Sequence, residues 1–233
     1  MTAPATERIG PIVEKLRQTY PDAKCSLDHA NPLQLLAATI LSAQCTDERV
    51  NMVTPALFRR YRTAQDFADA NPDELAAIIK STGFFNNKTR SLIGMGKALI
   101  ERFGGEVPGT MAELVTVPGA GRKTAYVVLG NAFGIEEGVV VDTHVNRLSN
   151  RLGFTRQQDP VRIEQDLMAL VPRGQWTLFP HLMIHHGRAV CEARRPRCEI
   201  CAINRLCPSA GKGGSRGGAE RKMTKTRSRK KRR

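Results

Sequence analysis

ELVTVPGAGRKTAYVVLGNAF, residues 113–133, sets two apolar helix-like segments around a turn that contains Gly119 and Gly121. Two glycines so close permit positive φ and let another molecule approach the backbone. The second segment presents its unpaired N–H groups at the turn, where they and the positive end of the helix dipole suit an anion. A helix, a hairpin and a second helix can hold one nucleic-acid phosphate in this way. The same pattern also serves as a tight turn between packed helices, and a lone GxG does not separate the two readings. Lys123 stands in the first turn of the second helix, where the dipole disfavours a further positive charge. Partial burial there would favour the neutral, nucleophilic amine that Schiff-base chemistry needs; a solvated lysine would be a phosphate contact instead.

Downstream, GVVVDTHVNRLSNRLGF (138–154) brings Asp142 directly after an apolar run, so its carboxylate is expected in a poorly solvated place. Asp142 is also in N-cap position for the helix that follows. A carboxylate so held could support a cationic sugar and handle protons around Lys123. The run before it could open as a short strand, but one β-branched run makes no sheet. Elsewhere the pattern is helical. Amphipathic or apolar segments begin at ATERIGPIVEKLRQTY, PLQLLAATILSA, TDERVNMVTPALFRRY, TAQDFADA, NPDELAAIIKS and KTRSLIGMGKALIERFGG, several with Ser, Thr or Asn in capping position. Short helices on short polar connections make the expected fold class all-α.

CEARRPRCEICAINRLCP (191–208) holds Cys191, Cys198, Cys201 and Cys207, four of the six cysteines. MTAPATERIG lacks a secretory signal's apolar core, and NPLQLLAATILSAQCT is too short and polar to span a membrane. A cytoplasmic, reduced protein is therefore expected, in which C-x6-C-x2-C-x5-C suits a metal, zinc or iron-sulfur, and ill suits disulfides. Cys25 and Cys45 fit no metal spacing and are expected as small core residues. The chain has 233 residues and a net charge of +14. From Ser209 to Arg233 eleven Lys/Arg stand against Glu220 alone, a net +10 that leaves +4 for the rest. This 209–233 segment reads as a disordered basic tail with non-specific attraction to phosphate.

Taken in order and spacing, LVTVPGAGRKTAYVVL, VVVDTHVNRL and the four cysteines resemble the endonuclease III family, bifunctional DNA glycosylase/AP lyases of the helix-hairpin-helix superfamily. The likeness covers about residues 8 to 208 and includes LLAATILSAQCTDERVN and STGFFNNKTRSL. It implies two helical domains with the active-site cleft between them. One is a six-helix barrel, 25–135, with the hairpin at about 113–133. The other is an iron-sulfur cluster domain, 136–208, joined by the N-terminal helix, 1–24. It further implies a monomer acting on double-stranded DNA with oxidised or damaged pyrimidines or abasic sites, in a bacterial cytoplasm at the nucleoid. Residue by residue, the resemblance makes Lys123 the amine that attacks C1′ and Asp142 the acid that assists base departure. Cys191, Cys198, Cys201 and Cys207 become ligands of a [4Fe-4S] cluster, and Gln44 fills the gap left by the flipped base. Phe84 or its neighbour Phe85 becomes the wedge opposite the lesion. Gly119, Gly121 and Arg122 belong to the phosphate-binding hairpin, and Arg194, Arg195 and Arg197 are held outward toward phosphates by the loop between Cys191 and Cys198.

Two other readings were open. An adenine-specific mismatch glycosylase shares the hairpin, aspartate and cysteines, but lacks the hairpin lysine and carries a large further domain. A non-catalytic iron-sulfur DNA-binding protein would need neither Lys123 nor Asp142. One departure from the family pattern, Tyr126 in place of a smaller polar residue, bears on substrate preference more than on reaction type. Of the histidines, His144 is expected to support the Asp142 loop, and His181, His185 and His186 to pack in the C-terminal helix.

Overall fold

The computed structural model describes residues 2–211. Among them it contains helices and turns and no strand. The helices are α1 (Ala5–Thr19), α2 (Pro32–Leu41), α3 (Asp47–Arg60), α4 (Ala64–Ala68), α5 (Pro72–Ile79), α6 (Phe85–Phe103), α7 (Met111–Leu114), α8 (Arg122–Val128), α9 (Thr143–Arg151), α10 (Pro160–Leu170) and α11 (Leu178–Ala189). The polar residues ahead of the apolar runs cap them. Asn31, Thr46, Asn71, Asp142 and Asp159 each accept a backbone N–H of the first turn, and Thr63 with Asp66 closes a capping box. Pro32, Pro72 and Pro160 open their helices, where no N–H is needed.

Two apolar cores form. The first runs from Leu27 to Leu129 and gathers α2 to α8, with Leu35, Leu36, Phe67, Leu75 and Leu92 fully buried. The second combines Ile9 to Leu16 of α1 with Val139 to Ile203, around Phe179 and Leu182. Truncating one such leucine to alanine costs about 2–5 kcal/mol. The all-α, two-lobed expectation holds. Arg8, 5% exposed, ties α1 to the rest of the second lobe: Nη1 donates to the carbonyls of Leu152 at 2.7 Å and Leu206 at 3.0 Å.

The strand considered at 138–142 does not form. Residues 134–142 run without regular structure between the cores, burying Val139 in the second, and among the described residues there is no partner strand to pair with them. The first residues of the expected tail are also structured: Ser209 Oγ donates to the Arg151 carbonyl at 2.8 Å, and the Ala210 amide to that of Cys207. Residues 212–233, the rest of that tail, lie outside the described residues. Among the described residues no helix is long and apolar enough to cross a membrane.

Candidate active site

The hairpin turn needs one of its glycines for conformation. Gly119 has φ +84°, and a Cβ there would lie 2.9 Å from Ser91 Cβ, so the turn presses on α6. Gly121 has φ −86° and open space around it, so only one of the two glycines uses the positive φ that both permit. It is the N-cap of α8, with no side chain to cap the helix.

Next along α8, Lys123 is exposed, so of the two placements open in the sequence it takes the solvated one. It lines a cleft of about 410 Å³ together with Asp142, Tyr126, Asn131, His144 and His181, residues drawn from both lobes. Asp142 is half-buried, and its Oδ1 accepts the Val145 amide at 2.7 Å, so the expected N-cap role is met. Among the described residues no donor is bonded to Oδ2. Beside it, burial holds His144 below the usual histidine range, and its Nδ1 accepts from Arg147 at 3.2 Å. Cys25 and Cys45 pack against the first core, as expected of small core residues, and also line the cleft, and burial pushes the Cys25 thiol up.

Polar ties cross between the lobes around this cleft. Arg188 of α11 meets Asp47 of α3 at 3.0 Å, and His181 Nε2 donates to Asn131 Oδ1 at 2.9 Å. Arg122 meets Glu164 of α10 at 2.9 Å, and Tyr126 donates to the same carboxylate oxygen at 2.7 Å. Arg122, expected in the phosphate-binding hairpin, is thereby paired within the protein, although its side chain stays largely in solvent. Burial, then the bond to Glu164, pushes Tyr126 up to about 12, so at neutral pH it acts as a donor. Its ring also fills the space beside Gly138, where a Cβ would come within 2.6 Å.

Gln44 and Phe84 share a feature that the sequence did not announce. They are the only non-glycine residues with positive φ among those described, at +52° and +48°. Both are exposed, Phe84 to 63%, whereas Phe85 packs on the first core. A left-handed phenylalanine costs roughly 1–2 kcal/mol, which the surroundings must supply. Gln44, considered above as a flipped-base substitute, lies between the cleft residues Ser42 and Cys45. Also unannounced is Lys88, buried to 5% exposure, whose Nζ donates to the carbonyls of Leu41 and Thr82. No sequence pattern marks it, because KTRSL reads as an ordinary polar helix start.

The four C-terminal cysteines are free, partly buried and grouped around one cavity walled by Leu148, Leu152, Ile203 and His186. Among the described residues no three His, Cys, Asp or Glu side chains converge as one metal ion would require. The donor set nonetheless fits a thiolate-held metal group such as an iron-sulfur cluster: four thiols, apolar walls and a cationic donor at sulfur, Arg151 Nη1 to Cys191 Sγ at 3.2 Å. Burial pushes the thiols of Cys201 and Cys207 up, so a metal binding there must expel protons. Arg151 also donates to the carbonyls of Cys191, Glu192 and Ala193, at 3.2, 2.7 and 2.6 Å. The loop between Cys191 and Cys198 is therefore held by an arginine beneath it as well as by any ligation. Arg194 and Arg195 point into solvent without a bonded partner among the described residues, but Arg197 turns back onto the Ala189 carbonyl and lies 4.0 Å from Glu192. That corrects the outward placement expected of Arg197.

Known proteins share this arrangement. A family model for HhH-GPD superfamily base excision DNA repair proteins matches residues 37–173. The chain is 56% identical to endonuclease III of Synechocystis sp. over 204 residues, 88% of this chain and 93% of that protein. It is 43% identical to endonuclease III of Bacillus subtilis over 88% of this chain and 94% of that one. Among solved structures, a trapped covalent intermediate of endonuclease III with DNA superimposes with a TM-score of 0.83 at 42% identity, covering 89% of this chain and 97% of that one. The chain belongs to the HhH-GPD superfamily of base excision DNA repair proteins and, within it, to the endonuclease III family.

Proposed function

We propose that the protein excises oxidised or damaged pyrimidines from duplex DNA and cleaves the resulting abasic site, with Lys123 as nucleophile and Asp142 as its acidic partner. The observation that supports this most is that Lys123 and Asp142 line one cleft, in a chain 42% identical to an endonuclease III solved as a covalent DNA intermediate. The damaged base leaves the stack and enters the cleft. Lys123 gives up a proton toward the Asp142 carboxylate, and its Nζ forms a bond to C1′ as the C1′–base bond breaks and the base departs with a proton. Opening of the sugar ring leaves a protonated Schiff base between Nζ and C1′. Loss of a C2′ proton then expels the 3′ phosphate by β-elimination, and water releases the lysine. General acid–base help of this kind is worth about 10²–10⁴-fold. Gln44 fills the space that the flipped base vacates, Phe84 wedges into the stack opposite the lesion, and the hairpin at Gly119 and Gly121 holds a backbone phosphate.

Cys191, Cys198, Cys201 and Cys207 would hold a [4Fe-4S] cluster. Bound there, the cluster would cross-link the segment that presents Arg194 and Arg195 to phosphates. None of the steps above requires electron transfer. The two cores correspond to domains of residues 25–135 and of 136–208 with 1–24, acting as a monomer in a bacterial cytoplasm at the nucleoid.

Borohydride trapping on duplex DNA bearing thymine glycol or an abasic site tests the reading. A covalent adduct is expected for the wild type and none for Lys123→Ala. An absent wild-type adduct, or an undiminished one in the variant, would sink it.

A further inference from the structure

Lys88 is a buried cation without a carboxylate. It lies in the second turn of α6 and forms no ion pair among the described residues. Burial pulls its amine below the usual lysine range. A lysine in such a place is uncommon, since an apolar residue would avoid the desolvation cost. The ammonium is occupied instead by two backbone carbonyls, those of Leu41 and Thr82, each at 2.8 Å.

Both carbonyls are at helix ends, where regular structure leaves them open. Leu41 closes α2; the chain turns away after it, so that the Cys45 amide bonds to Ser42 and leaves Leu41 without an intrahelical donor. Thr82 closes the single 3₁₀ turn Lys80–Thr82 that precedes α6. Three residues after Leu41 comes Gln44, and two residues after Thr82 comes Phe84, the two strained and exposed residues. Phe84 is the N-cap of α6, its carbonyl taking the ordinary first helical bond from the Lys88 amide at 3.1 Å, so the ammonium holds the turn immediately before it. Nothing else described here joins the turn after α2 to the turn before α6 through a single atom.

We propose that Lys88 is a positioning residue that fixes the Gln44 turn against the Phe84 turn, so that the two side chains enter the DNA stack together at a set separation. The proposal rests on the reading that Gln44 and Phe84 insert. Two side chains that enter one stack from two turns, one in the vacated space and one opposite the lesion, must be held to a fraction of the base-pair spacing, and misplacement by about 1 Å can cost on the order of 100-fold in rate. Lys88 touches neither the sugar nor Lys123 and takes no part in bond breaking.

The test compares wild type, Lys88→Met, Lys88→Arg and the double variant Gln44→Ala/Phe84→Ala, all as full chains. One readout is the fluorescence rise of 2-aminopurine placed opposite an abasic analogue in a duplex, which reports insertion. A second is single-turnover excision of thymine glycol from duplex DNA. The third is borohydride trapping on single-stranded abasic DNA, where there is no stack to fill. Lys88→Met is expected to lose most of the fluorescence rise and to slow duplex excision about tenfold or more. It should leave single-stranded trapping within about twofold, because Lys123 and Asp142 are untouched. Lys88→Arg, with donors retained, is expected to recover part of both duplex readouts. Adding Lys88→Met to the double variant should cause no further loss, since it acts through the same two side chains.

Full fluorescence and full duplex rate in Lys88→Met, with both lost in the double variant, would overturn the proposal while leaving the insertion reading intact. So would an equal loss on duplex and single-stranded DNA, which marks a general structural role. If the double variant itself keeps both duplex readouts, the insertion reading fails and the proposal falls with it. Should Lys88→Met not fold, Lys88→Gln replaces it in the same comparison and the same outcomes decide.

Discussion

Arg122 and Glu164 meet at 2.9 Å across the seam between the lobes, with Lys123, the next residue along, left facing the cleft. The pair joins α8 to α10, and the Tyr126 hydroxyl shares the carboxylate. Its arginine side is largely in solvent and its glutamate side is not. Glu164→Gln should therefore cost only about 1 kcal/mol or less in stability. It should also free Arg122 for a phosphate, steepening the slope of log affinity against log salt by about 0.9. DNA binding measured over a potassium chloride series checks this. An unchanged slope would mean that Arg122 stays off the DNA even when released.

Asp142 carries two roles that chemistry can pull apart. As N-cap it holds the Val145 amide, a task that Asn performs equally well. As proton acceptor it needs an ionisable carboxylate, which Asn lacks. Asp142→Asn is expected to keep its stability within about 0.5 kcal/mol, whereas Asp142→Ala loses about 1 kcal/mol. Both should reduce base excision by about 100-fold or more. Urea unfolding beside single-turnover excision measures the two effects. An active Asp142→Asn would remove Asp142 from the chemistry and leave it a helix cap.

Helix positions, the hairpin and the cysteine group were legible in the sequence because each rests on local rules: capping residues, glycine at a turn, thiol spacing. What was not legible comes from long-range packing. The burial of Lys88 depends on where α2 ends relative to α6, and the engagement of Arg122 depends on Glu164, 42 residues away in sequence. Similarly, EARRPR reads as three equivalent cations until the fold turns Arg197 back onto Ala189. Whether Lys123 would be buried or solvated stayed open for the same reason, since a helix start beside apolar residues gives no hint that a cleft opens next to it.

That difference among the three arginines is itself testable. Arg194 and Arg195 stand free on a loop braced by Arg151, so Arg194→Ala and Arg195→Ala should each flatten the salt slope of DNA binding by about 0.9. Arg197→Ala should leave the slope nearly unchanged and lower stability modestly, because its guanidinium serves the Ala189 carbonyl. Equal slopes for all three variants would contradict the loop geometry. Arg151→Ala, by removing the brace beneath the loop, should weaken binding more than any of them.

His181 gives the protein a stability that depends on pH. Burial, with His185 adding to it, holds the imidazole at about 4 against an ordinary 6.5, and its Nε2 proton is committed to Asn131. Between those values the unfolded chain binds a proton here that the folded chain does not. Stability from this site is therefore complete above 6.5 and is lost as the pH falls toward 4. The loss is on the order of 2 kcal/mol, below the full linkage value because the ring is partly exposed. His181→Gln keeps a donor for Asn131 but cannot titrate. In urea unfolding at pH 7 and at pH 4.5 the variant should show a smaller drop in stability than the wild type. Part of the drop should remain, because His144 is also held low by burial. An equal drop in both proteins would mean that His181 is not held neutral in the cleft.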